Sequence, residues 1–316
     1  MASIVESLRR PAASKAVTIL GAAVCFLAVL GVLSAIAGWH NVTSELHPQL
    51  SWWFALAFVA ELASFAGYVL CYRAVAHVRR GPQLTWAEAT RLVALGFGAF
   101  LAKGGAAVDA KALRPRGSNK AEGEARVIAL DALEHAPLAP AACAASIALL
   151  VEGSRKPPLD FTIPWAALVP VGAVLAYLGV RRRSVFQGKT GWRGWLCQVL
   201  YGIELLFELA SRWRQHWPAF AGAAVYWAGD VVCLWACLQP FGAAPAFAAV
   251  VIAHAAGYVL TRRTLPLAGA GIVELLMPLT LTAAGAPFTG AILGVLAYRV
   301  YNLWLPLVPA LVAHNR

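Results

Sequence analysis

Leu265-Pro266-Leu267-Ala268-Gly269-Ala270-Gly271-Ile272-Val273-Glu274 is the stretch on which the reading of this chain turns. It lies between two long apolar runs, follows Arg262 and Arg263, and closes on a carboxylate. In a soluble protein it reads as a loop leading into a helix. In a membrane its meaning is sharper, because broken helices and charges at depth persist only where protein buries them or where they line a wet cavity.

Composition supplies the membrane. Of the 316 residues, 60% are hydrophobic and 13% charged, and mean hydropathy is +0.67, far from the average of soluble domains. Apolar runs of about 20 residues recur, the length that crosses a roughly 30 Å hydrocarbon core. Trp39, Trp52, Trp53, Trp165 and Trp217 lie at run ends, where an aromatic belt is expected. The net charge of +11 records basic cytoplasmic loops and contact with anionic lipid. No nucleic-acid module interrupts the apolar runs, so nucleic acid is excluded as a partner. The six cysteines (Cys25, Cys71, Cys143, Cys197, Cys233 and Cys237) lie in apolar stretches without a CxxC pair. They read as small core residues, with Cys233 and Cys237 on one helix face.

Taken in order, the chain opens with Arg9, Arg10 and Lys15 against Glu6, a cytoplasmic start. A first span, about 16–38, is too long for the apolar core of a cleaved signal. The loop 39–51 carries no Lys or Arg and is expected outside. A second span, about 52–75, contains Glu61 and returns to Arg73, Arg79 and Arg80. A short apolar element, 86–102, lies between basic loops and reads as re-entrant from the cytoplasm, turning at Lys103-Gly104-Gly105-Ala106-Ala107-Val108-Asp109. Spans at about 127–151, with Asp131, Glu134 and His135, and about 163–180 follow, the latter ending at Arg181-Arg182-Arg183. Residues 192–217 read as an amphipathic helix in the interface plane, with a true span as the alternative. A span at 220–238 contains Asp230. A second compound element then runs from a short helix (246–260) through the opening turn to 272–284, broken by Pro278. The last span, about 288–312, holds Tyr298-Arg299 near its middle.

The two turns repeat one another. Gly104-Gly105-Ala106-Ala107-Val108-Asp109 and Gly269-Ala270-Gly271-Ile272-Val273-Glu274 each begin with glycine and reach valine and then an acid, at an offset of 165 residues. At the same offset Cys71 falls within three residues of Cys233, and Asp131 falls near Tyr298-Arg299. The expected fold is an all-α polytopic transmembrane bundle, a single membrane domain over 1–316 with two pseudo-repeated, re-entrant, Gly-interrupted segments. The first repeat covers about 16–151, a connecting span and interfacial helix about 163–217, and the second repeat about 218–313. Gly-interrupted segments in corresponding positions of two halves point to a transporter-type binding site. A broken helix exposes N–H groups and a positive dipole end, suited to an anion such as phosphate. Lys103, Arg262 and Arg263 add formal charge beside the turns. Arg299 needs a buried partner, for which Asp109, Glu274 and Asp230 are candidates; the rival reading is a salt bridge that merely pins two halves together.

Soluble-style catalytic signals fail. Gly188-Lys189-Thr190 imitates the end of a P-loop, but Arg183 stands where the upstream glycine belongs. There is no G-x-S-x-G, H-E-x-x-H or DxD-like pair, and no two of the seven histidines are spaced as metal ligands. No catalytic residue, metal or cofactor is therefore expected. His135 and His254 lie in apolar segments and read as core histidines before proton relays. Asn41-Val42-Thr43 is a glycosylation-type sequon in the expected outer loop.

Pro266, Gly269, Gly271 and Glu274, then Tyr298, Arg299, Leu305 and Pro306, carry a family likeness. With Gly104, Gly105, Asp109 and Asp131 of the first half, the chain resembles the flippase-like family named for the transmembrane region of lysylphosphatidylglycerol synthases. Lys103 replaces a proline of that pattern and Ala132 an arginine. The resemblance implies a lipid-translocating membrane domain, best known for moving aminoacylated phosphatidylglycerol to the outer leaflet. In the family's two-part proteins a cytosolic aminoacyl-transfer domain follows the membrane region. With Arg316 the last residue here, this chain is expected not to make such a lipid itself, and a separate lipid-modifying synthase is a possible partner. The expected function is a lipid flippase of the plasma (inner) membrane, multi-pass, with a cytoplasmic N-terminus and anionic phospholipid as ligand. Its expected binding residues are Lys103, Gly104, Gly105, Asp109, Arg262, Arg263, Gly269, Gly271, Glu274, Tyr298 and Arg299, supported by Glu61, Asp131 and Asp230. The alternatives are an integral-membrane glycolipid or polyprenyl-phosphate transferase using Asp109 and Glu274, and a non-catalytic scaffold for a synthase.

Overall fold

In the computed structural model, residues 12–45, 51–78, 81–100, 105–115, 117–118, 120–152, 159–187, 191–258 and 271–306 are described. They form helices joined by short connections, with no strand among the described residues. In chain order these are α1 (Ala12–Ala37), α2 (Trp39–Glu45), α3 (Trp52–His77), α4 (Trp86–Phe100), α5 (Gly105–Ala112) and α6 (Lys120–Glu152). They continue with α7 (Leu159–Arg181), α8 (Gly191–Ser211), α9 (Trp213–Leu238), α10 (Phe247–Tyr258), α11 (Ile272–Ala283) and α12 (Phe288–Arg299). Four of them, α3, α6, α7 and α9, are long and apolar enough to cross a membrane; Ala23–Ala37 of α1, α10 and α11 are shorter apolar helices.

The core is organised around the crossing of α3 and α9, the most extensive helix pair among the described residues. Its cause is visible in the chain. Ala57, Ala60, Ser64, Gly67 and Cys71 recur at alternating steps of three and four along one face of α3, and all are buried. Ala219, Gly222, Tyr226, Gly229 and Cys233 do the same on α9. Without a hydrophobic drive between helices in lipid, small residues let backbones approach and gain dispersion contact. A Cβ on Gly67 would stand 2.6 Å from the Tyr226 nitrogen and 2.7 Å from the Gly222 oxygen. One on Gly229 would stand 2.5 Å from the Ala60 oxygen and 2.8 Å from the Ser64 nitrogen. The two contacts mirror each other: shifting either set by 162 residues reproduces the other. Cys71 completes the seam by donating to the Ala219 carbonyl at 3.1 Å.

Around this axis α6 packs against α3, α5, α7, α8, α9 and α10, while α12 joins α9 to α11. Short helices pack back on their successors in both halves, α4 on α5 and α10 on α11. The apolar window of α7 contributes no buried residue, so this helix lies at the periphery. The end of α3 is fastened by Arg126 of α6, a fully buried side chain whose guanidinium donates to the carbonyls of Val75 (3.1 Å), Ala76 (3.3 Å) and Val78 (2.9 Å). A positive charge at a helix C-terminus satisfies carbonyls that have no intrahelical donor.

Several expectations are corrected. The loop 39–51 contains α2, whose Asn41, Thr43 and Ser44 side chains bond to carbonyls three or four residues back; the sequon is helical. The turn 103–109 is a helix from Gly105 onward, placing Val108 and Asp109 inside α5. The amphipathic stretch 192–217 divides at Arg212, whose backbone leaves the helical region (φ −110°, ψ 35°), and Trp213–Trp217 open α9. Pro278 does not break its helix, since α11 runs through it. The last span is interrupted at Arg299: α12 passes into a π-helical turn, Val300–Trp304, closed by the Leu305 N–H reaching the Val300 carbonyl at 2.9 Å. Such turns are uncommon inside helices and fall frequently at functional sites.

Candidate functional site

Four helices and the π turn converge on one buried polar cluster. Asp230 lies within α9, His254 and Tyr258 one turn apart on α10, and Glu274 in the first turn of α11. Tyr298 and Arg299 end α12, and Asn302 sits in the π turn that follows. All seven side chains are buried. Polar groups this deep need partners, because an unmade hydrogen bond in a medium without water costs several kcal/mol.

The start of α11 is set by Gly271, at φ +93° and ψ −43°. This is a left-handed conformation that a Cβ would strain by about 1–2 kcal/mol. It points the Gly271 N–H at the Glu274 carboxylate, which accepts it at 2.6 Å through Oε2. The other oxygen, Oε1, accepts the Arg299 Nε–H at 2.5 Å, an ion pair between two side chains almost wholly removed from solvent. Glu274 therefore caps its own helix and neutralises Arg299 at once. The Arg299 guanidinium also reaches Asn302 Oδ1 through Nη1 at 3.4 Å. Its Nη2 has no hydrogen-bond partner among the described residues.

A second centre lies beside the first. Asp230 Oδ1 accepts from Tyr298 Oη (3.0 Å) and from Asn302 Nδ2 (2.7 Å), while Oδ2 faces His254 Nε2 at 3.3 Å. The Tyr298 and Tyr258 hydroxyls lie 2.7 Å apart, so the single Tyr298 proton is shared between Asp230 and Tyr258, while Tyr258 donates its own to Asn302 Oδ1. Asn302 thus bonds both centres: its amide nitrogen serves Asp230 and its oxygen receives Tyr258 and Arg299. Trp227 seals one side, its ring edge-on to His254 at 5.1 Å and its indole N–H donating to the Glu134 carbonyl. Glu61 of α3, also buried, lies close enough to act electrostatically on Tyr258 and Tyr298.

The expected site residues are distributed as follows. Gly271, Glu274, Tyr298, Arg299 and Asp230 come together in one network, with Glu61 beside it. Of the three partners open to Arg299, Glu274 makes the ion pair, and Asp230 is reached through Asn302. Asp109 is buried on α5 near Tyr72 of α3; no hydrogen bond or ion pair among the described residues joins it to Arg299. Gly105 is the first residue of α5. Asp131 is half-buried on α6, where it, Glu134 and His135 each bring a ligand-type atom within 4.8 Å of the others. The grouping joins one histidine to two carboxylates, so no His–His spacing marks it in the sequence. Lys103, Gly104, Arg262, Arg263 and Gly269 lie outside the described residues.

His254, Tyr258 and Asn302 belong to the network without having been singled out as its members. Their signal was present as spacing: His254 and Tyr258 four apart in an otherwise apolar helix, and Asn302 four after Tyr298. Each polar residue in such a run must face protein and not lipid.

The sequence matches the family described as the lysylphosphatidylglycerol synthase TM region over residues 17–310. No curated protein and no solved structure matches the chain. With four helices able to cross a membrane and a transmembrane family covering nearly its whole length, this is an integral membrane protein with a lipid-related function. The chain belongs to the family of the lysylphosphatidylglycerol synthase transmembrane region.

Proposed function

We propose that the protein is a lipid flippase of the plasma (inner) membrane, moving an anionic or aminoacylated phospholipid headgroup between leaflets. The carrying observation is Arg299, whose buried guanidinium is anchored by Glu274 through Nε and leaves Nη2 without a protein acceptor among the described residues. A planar cation held on one edge and open on another is suited to a phosphate oxygen. In this reading Arg299 binds the lipid phosphate, Gly271 and Glu274 position it, and Tyr298 with Asp230 orders the cavity wall. Lys103, Arg262, Arg263 and the glycines Gly104, Gly105 and Gly269 complete the two turns, and Asp109 serves the first. Acyl chains remain in the bilayer while the headgroup crosses a polar path, which avoids exposing its charge to hydrocarbon.

The paired halves belong to the same reading. The mirrored contacts of Gly67 and Gly229 support a duplicated unit, and the pairs α4–α5 and α10–α11 fit re-entrant elements in corresponding positions. The N-terminus is then cytoplasmic, and a separate lipid-modifying synthase would supply an aminoacylated substrate. No catalysis is assigned. A transferase reading draws on one observation, the grouping of Asp131, Glu134 and His135; metal-dependent product formation in detergent would establish it in place of transport.

Reconstitution with fluorescent lipids decides the proposal. Wild-type vesicles are expected to move anionic or aminoacylated lipid across the bilayer, and a folded Arg299→Ala variant to lose both that movement and copurifying phospholipid. Movement no faster than in empty liposomes, across both headgroup classes, would overturn it.

A further inference from the structure

The network contains two buried ion pairs of different character. In Arg299–Glu274 the cation is permanent, because arginine stays protonated in proteins. In His254–Asp230 the cation exists only when a proton is bound. Both members of the second pair have 0% exposure, and their facing atoms are 3.3 Å apart. Among the described residues, Glu61 on α3, Cys233 on α9, Tyr258 on α10, Glu274 on α11, and Tyr298 and Arg299 on α12 lie around them. From α6 the Glu134 carbonyl and the His135 ring reach Trp227, which covers His254.

Two further features distinguish this pair from a structural bridge. Asp230 uses Oδ1 for two neutral donors, Tyr298 and Asn302, and turns Oδ2 toward His254 Nε2, which also lies 3.4 Å from the Tyr298 hydroxyl. His254 Nδ1, although fully buried, has no hydrogen-bond partner among the described residues. A structural histidine normally fixes its tautomer by bonding through that second nitrogen. Here the second nitrogen is left available to a water or to a proton donor.

Resting on the flippase reading, we infer that His254 and Asp230 form a proton-binding site that couples lipid movement to a proton gradient. With the proton present, imidazolium and carboxylate neutralise one another, and Arg299 keeps its open edge for the phosphate. When the proton leaves to water, Asp230 faces a neutral ring. Arg299, one asparagine away through Asn302, becomes a competing counter-charge for Asp230 and its hold on an anionic headgroup weakens. By linkage the converse holds: a bound anionic headgroup raises the affinity for the proton by the same factor, of order tenfold for typical couplings. Proton and anionic headgroup therefore travel together.

Vesicles containing phosphatidylglycerol and a fluorescent analogue test this with an imposed pH gradient collapsible by nigericin. The readout is the steady-state ratio of label between leaflets, not the rate. Wild type is expected to accumulate label toward the alkaline side, with the bias abolished by nigericin, and His254→Gln to reach an even distribution. A wild-type ratio indifferent to the gradient, or an undiminished bias in His254→Gln, overturns the inference. If wild type moves no lipid, the flippase reading fails and the proton site is judged separately by infrared titration in detergent. There, a carboxylate band that shifts with pH must be present in wild type, absent in Asp230→Asn and without its pH dependence in His254→Gln; a pH-dependent band unchanged by both variants, or none in wild type, refutes the site. Should Asp230→Asn fail to fold, Tyr258→Phe replaces it and is expected to displace the same band.

Discussion

Glu274→Gln isolates the ion pair at the heart of the cluster. Glutamine keeps the volume and an oxygen for the Gly271 N–H, so the cap at the start of α11 survives. What disappears is the negative charge 2.5 Å from Arg299 Nε. Arg299 is 1% exposed and cannot shed its proton, so it loses its direct counter-charge and is left with Asp230, reached only through Asn302. Removing one partner of a buried pair costs about 3–5 kcal/mol. Glu274→Ala also deletes the cap, adding about 1 kcal/mol. Arg299→Met should be milder than Glu274→Gln, because the orphaned carboxylate can take up a proton. The double variant, Glu274→Gln with Arg299→Met, should recover much of the loss, since no charge is then stranded. The assay is reversible unfolding in mixed micelles, read as a double-mutant cycle. Non-additivity of several kcal/mol is expected; additivity within about 0.5 kcal/mol, the level found for independent sites, would refute the pairing and with it the anchoring of Arg299.

Three further outcomes follow from the packing. Gly67→Ala and Gly229→Ala each force a Cβ to within 2.6 and 2.5 Å of the facing backbone, so each should lower thermal stability by about 1–3 kcal/mol; a neutral result at both would discredit the close crossing of α3 and α9. Arg126→Met removes three guanidinium bonds at the end of α3. The Val75 and Val78 carbonyls keep backbone donors in Val78 and Gly81, so the cost should be about 1–3 kcal/mol, with Arg126→Lys restoring little because one ammonium cannot copy the planar fork; equal stability of Lys and wild type would contradict this. At the start of α4, Glu88 accepts the Thr85 N–H and hydroxyl, each at 2.9 Å, and these bonds hold its carboxyl below the ordinary glutamate value. That capping contribution is complete above the unfolded-state value, about 4.3, and fades as pH falls through the lower folded one. Amide exchange at the first turn of α4 should therefore accelerate on acidification in wild type and be pH-insensitive, beyond intrinsic chemistry, in Glu88→Gln.

Long apolar runs carry their own structural meaning, because 20 residues without charge have few places to go except through lipid or a core. The sequence by itself therefore determined the helical membrane class, the positions of α3, α6, α7 and α9, and the need of Arg299 for a buried acid; that Glu274 and not Asp109 or Asp230 makes the ion pair came from the tertiary structure. The α3–α9 seam was also written in the chain, as small residues at steps of three and four. Helix ends were harder: Arg212 separates two helices without any glycine or proline beside it, while Pro278 sits inside one without ending it. Which polar side chains share a site depended on how distant helices face each other, and only the tertiary structure decided that. His254, 24 residues from Asp230 in sequence and 44 from Tyr298, meets both because α10 and α12 each pack against α9 in the core. No local pattern encodes such a meeting, since periodicity reports which face of a helix is buried but not against what. The glycine-rich turn at the head of α11 follows the same division. Its glycine and glutamate announced a helix start in the sequence, whereas their second role, steadying Arg299 with one edge left open, exists only once the helices are assembled.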